Sequence, residues 1–121
     1  MVQFQRATPI LRIFDEEKAR DFYIGFLGFE VGFEHRFEEN TPLYMGLSHG
    51  DCFLHLSEHH GDASPGAHIR FTVDDVNAYC KALNDNGYKY SRPQVEGPMP
   101  WGGFQMTIAD PFGNRVTFAS D

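Results

Sequence analysis

The sequence predicts an α+β fold: two βαβββ modules forming cupped mixed sheets, with helices on the convex side. Three observations predict it. The order strand, helix, strand, strand, strand is spelled twice, over residues 7–58 and 67–120, with 59–66 as a linker loop. Each half carries one capped, glycine-stopped helix: laid over each other, Asp15 falls on Asp74, Ala19 on Ala78, Gly28 on Gly87 and Phe29 on Tyr88. Most strands alternate apolar with polar residues, so each sheet needs cover on one face only. A unit of roughly 50 residues buries too little surface to stand alone. The two halves are therefore read as a single domain over residues 1–121.

In the first half, residues 7–14 read as a strand with Pro9 near its start, where a missing N–H marks an edge or a parting from one neighbour. Asp15 offers an N-cap, and Glu16 and Glu17 place negative charge in the first turn, where the helix dipole favours it. Ala19, Phe22, Tyr23 and Phe26 then recur at helical spacing, and Gly28 is the stop. Strands are predicted at about 29–38, 42–48 and 51–58, separated by turns at 39–42 and 49–51.

The second half opens with a strand over 67–73 and a helix capped by Asp74 and Asp75. The helix buries Val76, Tyr79, Cys80 and Leu83 and stops at Gly87. A short strand is predicted near 88–92, then a loop through Pro98, Pro100 and Trp101. Strands at about 104–109 and 114–119 close the chain around Asp110-Pro111-Phe112-Gly113-Asn114.

The chain of 121 residues carries a net charge of −7 and no basic run, which argues against nucleic acid as a partner. The negative balance mildly favours a cationic ligand. No apolar run approaches a membrane span and residues 1–6 lack a signal-peptide layout, so no membrane partner and a cytoplasmic location are expected. Cys52 and Cys80 fit no metal or redox spacing and read as reduced core residues.

Alternation sorts the polar side chains. Leu54 and Leu56 face one way on their strand, and Phe53, His55 and Ser57 the other. Ile69, Phe71 and Val73 oppose His68, Arg70 and Thr72. Met106 and Ile108 oppose Gln105 and Thr107, and Val116 and Phe118 oppose Arg115 and Thr117. The polar sets come from separate strands and have aromatic company in Phe53 and Trp101, which predicts a ligand cleft on the concave side.

With these motifs in place the chain resembles the vicinal oxygen chelate (glyoxalase/bleomycin resistance/dioxygenase) superfamily. The likeness rests on the duplicated module, on Asp15, Phe22, Tyr23, Leu27, Gly28 and Phe29, on the run His68 to Val76, and on Asp110 to Asn114. Pro9, Pro100, Trp101 and Gly102 bring it nearest the bleomycin resistance proteins. The resemblance implies a homodimer that sequesters an aromatic or cationic small molecule of bleomycin type in clefts between subunits. It also implies that Trp101 stacks on the ligand, and it matches Phe33 and Phe37 to phenylalanines of the family's second strand. Both also share alternation with Val31, which makes a place in the core the competing expectation for Phe33 and Phe37.

Metal-dependent members of that superfamily carry ligands at positions matching Thr8, His55, His68 and Thr117 here. Two histidines with two neutral threonines make a poor metal set. No cofactor is therefore expected, with a divalent metal on His55 and His68 as the alternative. No covalent nucleophile stands out: Ser57 has no evident base, and Gly102 and Gly103 lack the strand-to-helix setting of a phosphate loop. The expected ligand-binding set is Phe37, Phe53, His55, Ser57, His68, Arg70, Trp101, Gln105, Thr107, Arg115 and Thr117, with no catalytic residue. The alternative function is a metal-dependent lyase, isomerase or dioxygenase acting on a small oxygenated substrate.

Overall fold

Two aspartates and two glycines set the helix limits. The computed structural model describes residues 1–121. Asp15 accepts a hydrogen bond from Lys18 N at 2.9 Å and starts α1, Glu16–Ala19, which widens into a π-helical stretch, Arg20–Phe26. Asp75 caps α2, Val76–Asn86, by accepting from Ala78 N at 3.0 Å. Gly28 and Gly87 follow with φ of 87° and 83°, a left-handed conformation that a side chain would strain. Neither helix is long and apolar enough to cross a membrane.

The strands are β1 Ile10–Arg12, β2 Glu30–His35, β3 Tyr44–His49, β4 Cys52–Ser57, β5 His68–Thr72, β6 Phe104–Ala109 and β7 Arg115–Ser120. They form two mixed sheets. The first has the order β1-β4-β3-β2 with β1 parallel to β4; the second has the order β5-β7-β6 with β5 parallel to β7. The predicted first strand shortens at both ends, yet Pro9 O still accepts from His55 N and Ile13 N still donates to Ser57 O, each at 2.9 Å. Pro9 thus contributes the one ladder group it has.

The strand predicted near 88–92 does not form. Tyr88 is drawn inward instead, its ring stacked 4.5 Å from that of Phe26. Pro93 has no N–H to donate, and its carbonyl accepts from Asn84 Nδ2 at 2.9 Å and is thereby tied to α2. Only an isolated bridge, Glu96 with Gln105, continues the second sheet beyond β6.

The inner faces of both sheets and the helices share one core. Leu11, Met45, Leu54 and Leu56 from the first sheet join Met106, Ile108, Val116 and Phe118 from the second, with Phe22, Tyr23 and Phe26 between them. Burying each such side chain contributes about 1.5–3 kcal/mol. Cys52 and Cys80 are free thiols and only half-buried, so they sit at the margin of this core.

The Asp110 to Asn114 turn clamps the halves together. Asp110 Oδ2 accepts from the Tyr23 hydroxyl at 2.7 Å and from Asn114 Nδ2 at 2.8 Å. Asn114 Nδ2 also donates to Arg12 O at 2.9 Å, and its Oδ1 accepts from Ala67 N at 3.1 Å. Burial first, and then the Asp110 carboxylate, push the Tyr23 hydroxyl well above its ordinary pKa, so it stays a donor. This motif is structural.

Candidate functional site

With the core between them, the sheets turn their polar faces outward. On the first sheet, register sets His55 opposite both Gly46 and Ile10, and Tyr44 opposite Ser57. The β2 edge carries a bulge: Val31 pairs with Leu47, but Phe33 pairs with Gly46. One extra residue reverses the side on which the following residues fall. Phe33 therefore leaves the core side predicted for it and lies over Gly46, where an added Cβ would stand only 2.2 Å from its ring. Phe37, past the strand end, is likewise outside the core and 77% exposed, with its ring near those of His35 and His59.

An aromatic group results. Phe33 stacks on Tyr44 at 6.2 Å and meets His55 edge-on at 5.2 Å, and the Tyr44 hydroxyl lies 2.7 Å from His55 Nδ1. Burial, then the nearby Asp62 carboxylate, raise the Tyr44 pKa, which keeps the hydroxyl protonated beside the imidazole. With Nδ1 occupied, the other ring nitrogen of His55 is the one left for a ligand. Tyr44 escaped the sequence reading although its alternation with Leu43 and Met45 signals the outward face. Phe33 had no such signal apart from the glycine before it.

The remaining expected residues of this sheet divide. Phe53 is half-buried beneath Arg6, whose guanidinium carbon lies 3.6 Å from the ring centroid. Ser57 was expected to face a ligand and is instead fully buried. Its alternation holds, but the loop after β4 folds over it: Ser57 Oγ donates to Asp62 at 2.7 Å and accepts from His59 N at 3.0 Å.

On the second sheet, His68 Nε2 lies 2.7 Å from Thr117 Oγ1, which lies 2.7 Å from Thr107 Oγ1. Thr117 sits beneath this chain, only 2% exposed. Arg70 donates to Gln105 Oε1 at 2.9 Å, and Gln105 Nε2 donates to Glu96 at 3.0 Å. Arg115 is exposed, paired in register with His68. Trp101 projects from its loop, 68% exposed, and stacks on no other ring of the chain.

These residues do not fit a metal centre within one chain. His55 and His68 stand on different sheets, each with one ring nitrogen engaged, and no three His, Cys, Asp or Glu side chains converge. A cavity of about 570 Å³ lies elsewhere, between the first helix and Asp110, beside Asp15, Asp21, Tyr88 and Tyr90.

The family model described as glyoxalase superfamily protein matches residues 1–121. No curated protein matches the chain by sequence. Among solved structures, a glyoxalase/bleomycin resistance protein from Streptomyces sp. CB03234 is 27% identical with a TM-score of 0.73, covering 96% of this chain and 100% of that one. TnmS3, an antibiotic binding protein from the same organism, is 26% identical with a TM-score of 0.75, covering 99% and 98%. A bleomycin-binding protein complexed with bleomycin shares the fold at 23% identity and a TM-score of 0.71, covering 98% and 99%. The duplicated module, the mixed sheets and the match along its whole length establish that this chain belongs to the glyoxalase superfamily.

Proposed function

We propose that this protein binds an aromatic small molecule of antibiotic type and acts by sequestration rather than turnover. The observation that carries the reading is the outward aromatic group of Phe33, Tyr44 and His55, solvent-accessible and internally positioned. Such surfaces present a flat face to a planar ligand, with hydrogen-bonding groups at the edge. Antibiotic binding by TnmS3, which shares the fold at 26% identity, supports the same ligand class. A bleomycin-type ligand falls within it.

The proposal includes a homodimer. Ile10, Phe33 and Phe37 leave apolar surface exposed on and beside the outward face of the first sheet, which a second copy would cover while its other sheet closes the cleft. His68, Arg70, Gln105, Thr107 and Arg115 would then line the opposite wall, and Trp101 would lie at the rim. The reading needs no cofactor and places the protein in the cytoplasm.

Trp101 fluorescence, followed while bleomycin and a panel of polycyclic aromatic antibiotics are titrated in, tests it together with light scattering. The proposal expects a dimer and saturable binding at micromolar concentration or tighter. A monomer, or no saturable binding to any of the panel, contradicts it.

A further inference from the structure

The chain has more acids than bases, yet its arginines are distributed unevenly between partnered and unpartnered sites. Arg20 pairs with Glu16 and Glu34, and Arg36 pairs with Glu16 and Glu58. The arginines of the outward faces pair with no carboxylate. Arg12 donates to the Ile13 carbonyl at 2.8 Å, and Arg6 lies over the Phe53 ring. Arg70 is held by Gln105 through one nitrogen, and Arg115 is exposed on the neighbouring strand.

The carboxylates near these faces do not neutralise them. Asp62 accepts from Ser57, Glu96 accepts from Gln105, and Glu30 stands at the far edge of the first sheet, across from Ser48. A guanidinium held at one nitrogen keeps its other N–H groups for a planar anion, and such charge-assisted pairs are the strong ones. Glu96 and Gln105 thus position Arg70 without consuming it.

Resting on the reading of these faces as the ligand site, we infer that the ligand is an aromatic acid. Its rings lie on the Phe33, Tyr44 and His55 group, and its carboxylate or phenolate is met by Arg70 and Arg115. The net charge of −7 had favoured a cation; the local distribution reverses that preference.

Calorimetric titration with three probes of one ring system tests the inference: naphthalene-2-carboxylate, 2-naphthamide and 2-naphthylmethylammonium. The carboxylate is expected to bind roughly tenfold more tightly than the amide, with the ammonium weakest. In the double variant Arg70→Gln/Arg115→Gln this advantage collapses to near parity, while Lys89→Gln/Arg92→Gln, an equal loss of charge at exposed positions elsewhere on the surface, preserves it. Thermal melts confirm that the variants fold. Equal binding of all three probes, or a double variant that keeps the preference, overturns the inference and leaves the aromatic site standing. Failure of all three to bind overturns both.

Discussion

The Tyr44 hydroxyl lies 2.7 Å from His55 Nδ1, across the β3–β4 ladder and under the ring of Phe33. This contact fixes the imidazole and decides which nitrogen faces a ligand. Tyr44→Phe keeps the ring and removes the bond. Imidazole nitrogen shifts should then show His55 released from a single tautomer, at a stability cost of about 0.5–1.5 kcal/mol. Unchanged shifts would mean that the hydroxyl does not hold the ring.

Gly46 makes room for Phe33. A Cβ there would lie 2.2 Å from Cε1 of the Phe33 ring, which is 45% exposed and free to swing outward. Gly46→Ala should therefore cost under about 1 kcal/mol in stability, because only a partly exposed ring has to move. Ligand affinity should fall by about 1 kcal/mol, near fivefold, as the aromatic group opens. Aromatic proton shifts of Phe33, measured beside affinity, check the displacement.

Asn114 joins the two sheets through Arg12 O, Ala67 N and Asp110. In Asn114→Ala these buried groups lose their partner, and a loss of at least about 2 kcal/mol is expected. Urea unfolding should show a lower midpoint with an unchanged slope. A change below about 0.5 kcal/mol would deny the clamp its role.

Glu16 contributes to acid sensitivity through its pairs with Arg20 and Arg36. The hydrogen bond from Arg20, aided by Arg36 and opposed by burial, holds its carboxyl below the ordinary 4.5. A lowered folded-state pKa adds stability that is fully present above the ordinary 4.5 of the unfolded chain and is lost as pH falls from there through the lower folded value. The group is partly exposed, so the effect is small. Glu16→Gln should lose slightly less of its neutral-pH stability between pH 5 and 3 than the parent protein does, read as the shift in denaturant midpoint. Identical pH profiles would show that these pairs add nothing.

The fold was legible because its signals are local. Capping aspartates, stopping glycines and period-two alternation survive in any context, and they placed both helices and seven strands. What failed depended on neighbours. The bulge at Gly32 turned Phe33 outward, since an inserted residue leaves composition untouched while reversing facing. Residues 88–92 had strand character but lost it to Tyr88 packing on Phe26 and to Pro93. Ser57 had the predicted parity and was covered by the loop bearing His59 and Asp62. His55, His68, Arg70, Gln105 and Thr107 lie on the predicted faces because alternation alone determines them.

Calorimetric titration of a polycyclic aromatic ligand into the purified protein separates sequestration from catalysis, since heat reports binding and turnover separately. Sequestration predicts a saturating isotherm at one ligand per chain, no heat after saturation, and recovery of the ligand intact. Continuing heat at saturation with an altered ligand, or no binding heat at all, would contradict it.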